Sequence, residues 1–383
     1  MQRTCESIPI TSVNNINPQK DDLLSNLPYE LILEILKNLS LEDLKSFALS
    51  SQQNYSLVYR AKIENSRNLF YYLFIKKIIQ GKTTEVKKIL DETGIDPSYL
   101  KSHALDIAIQ YNRVEIVELL LNDKRIFLTD IDSNTFQLAF KLALDNGHVK
   151  IIKTLLYNTY INPADNNNYA IRLASHNGHA EVVKELLKDE RVDPAADNNY
   201  AIRWASYNGH VEVVKELLKD ERVDPAVNNN FAIRFASKMG HLKIVKELLE
   251  TGRVDPAADN NYAIRWASKI GYLKIVKELL ETGRVDPAAD YNYAIRKASE
   301  KGLLKVVKEL LKDGRVDPAA KDNYAIRKAS EKGHLEVVRE LLQDERIDPT
   351  AGNNYAIRYA SWKGRLEVVK ELLKDKRVNP AAG

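Results

Sequence analysis

Pairs of apolar residues one helical turn apart alternate with short polar stretches through most of this chain. In the segment Tyr200–Asn230, Val213 and Val214 are followed four residues later by Leu217 and Leu218, with Glu212, Lys215, Glu216 and Lys219 around them. That spacing predicts a helix with one apolar stripe and one charged face, whose opposite charges three residues apart add a few tenths of a kcal/mol each. Upstream, Ala201, Ile202, Ala205 and Ser206 fall at the spacing of another helix. Gly209 ends it, because positive φ is cheap only for glycine. Asp220 to Asn230, with Pro225 and a run of asparagines, reads as extended backbone and turn. Two short antiparallel helices and a protruding loop are the expected unit.

The unit recurs every thirty-one residues. Tyr169, Tyr200, Phe231, Tyr262, Tyr293, Tyr324 and Tyr355 hold one register, and Gly178, Gly209, Gly240, Gly271, Gly302, Gly333 and Gly364 hold another. A fixed period of this length means one supersecondary unit stacked on copies of itself. Each buried Val or Leu is worth roughly 1.5–3 kcal/mol, realised only when the next copy covers it. Three looser copies come first: Phe70 to Leu90, Ala104 to Leu121, and Leu138 to Leu156. The expectation is an all-α solenoid of about ten units. The last copy keeps Val368, Val369, Leu372 and Leu373 unchanged from the internal pattern, which predicts an uncapped face.

The repeat resembles the ankyrin repeat. Tyr-Ala-Ile-Arg-x-Ala-Ser-x-x-Gly-His stands where that family has Thr-Pro-Leu-His-x-Ala-Ala-x-x-Gly-His, and Val213-Val214 with Leu217-Leu218 match its V-V-x-x-L-L second helix. Thr, Pro and His of the tetrapeptide are Tyr, Ala and Arg here, and the unit is two residues shorter, implying a stubbier finger. The pattern is similar to the large ankyrin sets encoded by giant DNA viruses of protists.

Residues 23–62 have a different character. Leu31, Ile32, Ile35, Leu36 and Leu39 make the apolar face of a helix capped by Ser25 or Asn26, with Pro28 in its first turn. Ser40-Leu41-Glu42-Asp43 begins a second helix that Leu44, Phe47 and Ala48 continue. This segment resembles an F-box, the element that docks on the Skp adaptor of cullin-RING ubiquitin ligases. Leu27-Pro28, Glu30, Ile35-Leu36, Leu39 and Asp43-Leu44 match at family spacing; Ser50-Ser51 replace the usual Val-Cys, and Asn54 beside Tyr55 replaces the usual Trp. The resemblance implies that Leu27, Pro28, Leu31, Ile35, Leu36, Leu39 and Leu44 contact a Skp-type adaptor. The competing reading is a helical cap for the array. The expected division is a disordered tail over 1–22, the F-box-like module over 23–62 and the array over 66–383.

The regular copies differ chiefly around the glycine. Five residues before it stand Leu173, Trp204, Phe235, Trp266, Lys297, Lys328 and Tyr359; two before, His176, Tyr207, Lys238, Lys269, Glu300, Glu331 and Trp362; one before, Asn177, Asn208, Met239, Ile270, Lys301, Lys332 and Lys363. A slot that accepts both Trp and Lys is not fully buried, because an unpaired buried charge costs too much. In ankyrin proteins the equivalent positions line the concave binding surface. The resemblance therefore implies a partner surface with an aromatic centre (Trp204, Tyr207, Phe235, Met239, Trp266, Ile270), a lysine-rich stretch (Lys297, Lys328) and a final aromatic pair (Tyr359, Trp362). Such a gradient suits a protein with an apolar anchor and an acidic flank. The alternative, compatible with it, is that the aromatics stack on one another between copies.

Two other columns read as structural. Arg172 and its six counterparts form a possible phosphate ladder, but an Asp of the preceding loop, such as Asp193 or Asp197 for Arg203, is the expected partner. His179, His210, His241 and His334 follow the glycine, and successive copies place such residues about 10 Å apart, the spacing of packed helices, so they share no metal ion. Net charge is +4 from 57 basic and 53 acidic residues, a mixed surface with no bulk pull toward nucleic acid or anionic lipid, and Glu300 and Glu331 interrupt the lysine-rich copies. The single cysteine, Cys5, forms no internal disulfide. The amino terminus lacks the apolar core of a signal peptide, and Leu69 to Ile79 is too short to span a bilayer. A cytoplasmic or nucleoplasmic protein is expected, in the host cytoplasm if the source is viral. No phosphate loop, metalloprotease motif or nucleophile elbow is present, and no cofactor is implied. Two functions remain: a substrate-recruiting ligase adaptor, with a Skp-type partner at one end and an unknown protein target at the other, or a plain ankyrin scaffold or inhibitor.

Overall fold

The computed structural model describes residues 74–93, 103–111, 113–123, 133–157 and 161–379, and every regular element among them is helical. The chain divides after Leu142 into two compact units. Among the described residues the helices form ten helix-turn-helix pairs, three loose and seven regular.

In the first unit, Thr83–Thr93, His103–Gln110 and Val114–Leu121 bury Val86, Leu105, Ile109, Ile116, Val117 and Leu120. Arg113 ties one copy to the next by donating from Nε to the Ile79 carbonyl at 3.0 Å.

In the second unit each regular copy has an inner helix, such as Ala196–Asn208, and an outer helix, such as Val211–Leu218. Ala201, Ile202 and Ala205 of the one face Val213, Val214 and Leu217 of the other, and all are buried. Ile171 and its six counterparts are buried throughout, as their invariance predicted. Gly209 closes the inner helix at φ +89°. A Cβ there would lie 2.7 Å from the ring of His241, which belongs to the following copy. The glycine is thus required twice, for its conformation and for the room it leaves.

The asparagine run is not extended, as its composition suggested. Asp197, Asn198 and Asn199 have φ of +53°, +55° and +56° and form a left-handed turn that feeds directly into the inner helix. The same three positions repeat this conformation in every regular copy, Tyr291 and Lys321 included. Left-handed residues normally occur singly. Here the turn is held from several sides. The Asn199 amide donates to the Ala195 carbonyl at 2.7 Å, and Arg203 donates to the carbonyls of Asn198 and Asp197 at 2.9 and 3.0 Å.

Two or three recurring hydrogen bonds per interface stitch each copy to its neighbour, the third being absent where Tyr272 and Leu303 replace histidine. The buried third asparagine accepts the amide of the next loop's aspartate: Asp224 on Asn199 at 2.9 Å, Asp255 on Asn230 and Asp286 on Asn261 at 2.7 Å. The loop arginine donates to a carbonyl one copy back, as Arg222 does to Val192 and Arg315 to Val285, both at 2.9 Å. The histidine after the glycine bonds a carbonyl thirty-four residues earlier, His210 to His176 at 2.9 Å and His241 to Tyr207 at 3.0 Å. The histidine column is therefore structural. Each bond is worth about 1 kcal/mol net, and together they fix the register between copies.

The loop arginines are themselves clamped. Arg222 binds Asp220 through Nε and Nη2 at 3.0 and 2.7 Å, and Asp189, Asp313, Asp344 and Asp375 repeat the pairing with Arg191, Arg315, Arg346 and Arg377. Hydrogen bonds from these arginines hold all five carboxyls below the ordinary aspartate value. A carboxyl whose folded pKa is depressed binds fewer protons folded than unfolded. Its contribution is present above the unfolded value and is lost as pH falls through the folded one. The melting temperature of the array will therefore stay level near neutrality and fall below about pH 4. Melting curves across that range check this, and a level profile into strong acid would refute it.

Candidate partner-binding face

The slots before the glycine lie on successive inner helices, and the structure brings their aromatic residues into one ladder. Trp204 has ring centroids 5.7 Å from Tyr200, 5.3 Å from Tyr207 and 6.2 Å from Phe231. Phe235 stacks on Phe231 at 4.2 Å and approaches Tyr207 and Tyr262 at 5.8 and 5.7 Å. Trp266 continues from Tyr262 at 5.6 Å. Stacking between copies, one of the two expectations for these residues, is therefore present. Each ring pair adds about 0.5–1.5 kcal/mol beyond its buried area. The rings remain half-buried.

Met239 and Ile270 occupy the same position on neighbouring copies and are 39% and 37% exposed. Beside them the ammonium of Lys238 lies 4.6 Å, and that of Lys269 4.1 Å, from the centre of Trp266. Sequence columns displayed both lysines, but nothing in them indicated that two cations converge on one indole.

The lysine-rich copies behave differently. Lys297 pairs with Glu300 at 2.7 Å, and both bond the Tyr324 hydroxyl, at 3.2 and 3.0 Å. Lys328, Glu331 and Tyr355 repeat the triad at 2.7, 2.9 and 2.7 Å. Burial works against the Lys328 charge, yet the hydrogen bonds it donates to Glu331 and Tyr355 outweigh it and hold the ammonium well above its ordinary value. Bonds from Lys328 and Tyr355 in turn keep the Glu331 carboxyl low. Lys297 and Lys328 are thus engaged within the array. The legible signal was that Lys and Glu appear together, three residues apart, in only these two copies. Lys301 and Lys332 are exposed and make no ion pair among the described residues.

Tyr359 stacks on Tyr355 at 3.9 Å and meets Trp362 edge-on at 5.8 Å. Trp362 is 72% exposed, and Leu366 on the outer helix of the same copy is 62% exposed.

The arginine column is held, but the expected carboxylate of the preceding loop serves only at Arg327, which pairs with Asp322. Arg203 binds the Asp197 backbone carbonyl instead of its side chain, and Asp193 accepts the Ala195 amide. Three carboxylate partners come from the following copy, Asp197 for Arg172 at 3.2 Å, Asp290 for Arg265 at 3.1 Å and Asp259 for Arg234, and one from the preceding loop, Asp322 for Arg327 at 3.7 Å. Where that position is Asn228 or Lys321, the bond is absent, and Arg203 and Arg296 keep only their backbone partners and neighbouring rings. With its guanidiniums so occupied, the column is no phosphate ladder.

Leu27, Pro28, Leu31, Ile35, Leu36, Leu39 and Leu44, together with the 1–22 tail, lie outside the described residues. Among the described residues no helix is long and apolar enough to cross a membrane, and no group of three or more His, Cys, Asp or Glu side chains is placed to hold a metal ion.

A family model for ankyrin repeats (3 copies) matches residues 136–229, 202–293 and 292–382. One for the F-box domain matches residues 24–64. No curated protein matches the chain.

Proposed function

We propose that this chain, which belongs to the ankyrin-repeat family and carries an amino-terminal F-box domain, is a substrate-recruiting adaptor of a Skp-cullin-F-box ubiquitin ligase. Both segments are protein-interaction modules and not catalytic domains. The observation that carries the reading is their presence in one chain: an F-box match over 24–64 ahead of an array whose variable face exposes aromatic and aliphatic side chains. Residues Leu27, Pro28, Leu31, Ile35, Leu36, Leu39 and Leu44 hold the Skp-type adaptor, and the ladder around Trp204, Phe235 and Trp266 holds the target. The work done is proximity. Tethering a target beside the ligase converts a bimolecular encounter into an intramolecular one at millimolar effective concentration for short spans.

Gel filtration of the full-length chain with a purified Skp-type adaptor and the amino-terminal part of a cullin tests this. The wild type will co-elute with both proteins, and the variant Leu27→Ala/Pro28→Ala will elute alone. Separate elution of the wild type would leave an ankyrin interaction protein whose amino-terminal helices cap the array.

A further inference from the structure

Along the variable face, the copies at Phe231 and Tyr262 place two lysines without ion pairs on one indole, beside exposed apolar side chains. Lys238 of the Phe231 copy and Lys269 of the Tyr262 copy both lie over the Trp266 ring, at 4.6 and 4.1 Å. Neither has an ion-pair partner among the described residues, whereas one lysine column of the outer helices is paired across copies: Lys215 with Glu247, Lys246 with Glu278. The indole attracts each ammonium, the two cations repel one another, and an anion close to both offsets that repulsion. The slots around the glycine hold seven lysines and two glutamates over the seven regular copies. Both glutamates are occupied by Lys297 and Lys328. The face therefore offers uncompensated positive charge at Lys238, Lys269, Lys301 and Lys332. Met239 and Ile270 stand next to the first two of these in sequence and present apolar surface to solvent.

We infer that this face takes an acidic peptide segment of the target, with an aspartate or glutamate carboxylate seated between Lys238 and Lys269 over Trp266 and a large apolar side chain resting on Met239 and Ile270. Further acidic residues then run toward Lys301 and Lys332. Copies stack at about 10 Å, and an extended chain advances about 3.3 Å per residue, so the clamp and the first flanking lysine span roughly six residues. The triads at Lys297 and Lys328 position tyrosines and glutamates within the array and are not contact points. The inference rests on the recruiting role proposed for the ankyrin face and names the chemistry of what is recruited.

Selection of a random peptide library, displayed on phage, against the immobilised full-length chain tests it. Wild-type chain will enrich peptides that place Asp or Glu beside a large apolar residue. A synthetic peptide of the enriched sequence, followed by fluorescence anisotropy, will bind Lys238→Glu/Lys269→Glu at least about tenfold more weakly, and will bind more weakly in high salt. Lys238→Gln/Lys269→Gln removes the charges without reversing them and will show a smaller loss of the same kind. Both variants are to keep the wild-type melting temperature. Enrichment without acidic residues, equal binding by the charge-reversed variant, no enrichment at all, or equally tight binding of a single-stranded oligothymidylate would each overturn the inference. Adaptor binding is measured on the same preparations. Failure of the peptide result with adaptor binding intact removes only the acidic-peptide assignment. Failure of adaptor binding removes the ligase reading and leaves the peptide result standing.

Discussion

Replacing Gly209 with alanine will destabilise the array by about 3 kcal/mol, the sum of a left-handed penalty of about 1–2 and a steric cost of about 1–3. The residue sits at φ +89°, and the new methyl would lie 2.7 Å from the ring of His241. The ring is held there by its bond to the Tyr207 carbonyl at 3.0 Å and cannot retreat without losing it. Two comparisons separate the contributions. Gly252 also has positive φ, +68°, but has nothing within 4 Å of its Cβ direction, so Gly252→Ala will cost only the conformational part, about 1 kcal/mol. In a His241→Ala background, Gly209→Ala will cost the same as Gly252→Ala. Urea denaturation of the wild type and the four variants measures all of these values. Equal costs at positions 209 and 252 in the wild-type background would show that the ring contact does not matter.

Asn261→Ala carries an expected cost of similar size. Asn261 is buried, lies at φ +59°, and accepts the Asp286 amide at 2.7 Å. Alanine leaves that amide without its acceptor, about 1–3 kcal/mol, and is itself strained in the left-handed region by about 1 kcal/mol. Asn261→Gly loses the hydrogen bond but relieves the strain, so it will cost less than alanine. Because a solenoid is held by intrinsic and nearest-neighbour terms, a weakened central interface will let the two flanking blocks melt at different denaturant concentrations. A single transition with an unchanged midpoint would contradict the role assigned to this asparagine.

What could be read from the chain, and what could not, follows from the range of each interaction. Helix pairs and their core were legible because Val213, Val214, Leu217 and Leu218 carry the helical period within one copy. Gly209 marked the helix end for the same reason. The left-handed turn at Asp197–Asn199 was misread as extended because asparagine runs usually signal loops, and three consecutive left-handed residues are stable here only through Arg203 and the neighbouring copy. Partner choice was the harder matter. A column of seven arginines beside a column of aspartates shows that a bond exists, but not that Asp290 of the next copy, instead of the preceding loop, reaches Arg265. For the same reason the sequence could not show that Tyr324 and Tyr355 of the following copies close triads with Lys297 and Lys328. The aromatic ladder was visible as a column, and its stacking followed from the period. The positions of Lys238 and Lys269 over Trp266 depend on side-chain direction, which no column records.

The central claim is that residues 24–64 give this ankyrin protein a ligase-docking end, and a direct binding titration of purified Skp-type adaptor into the full-length chain tests it. The account predicts saturable one-to-one binding by the wild type and none by Leu27→Ala/Pro28→Ala, with the melting temperature of the array unchanged between the two. Absence of binding by the wild type, or a variant that binds normally while the array melts earlier, would contradict it and leave those helices as a cap.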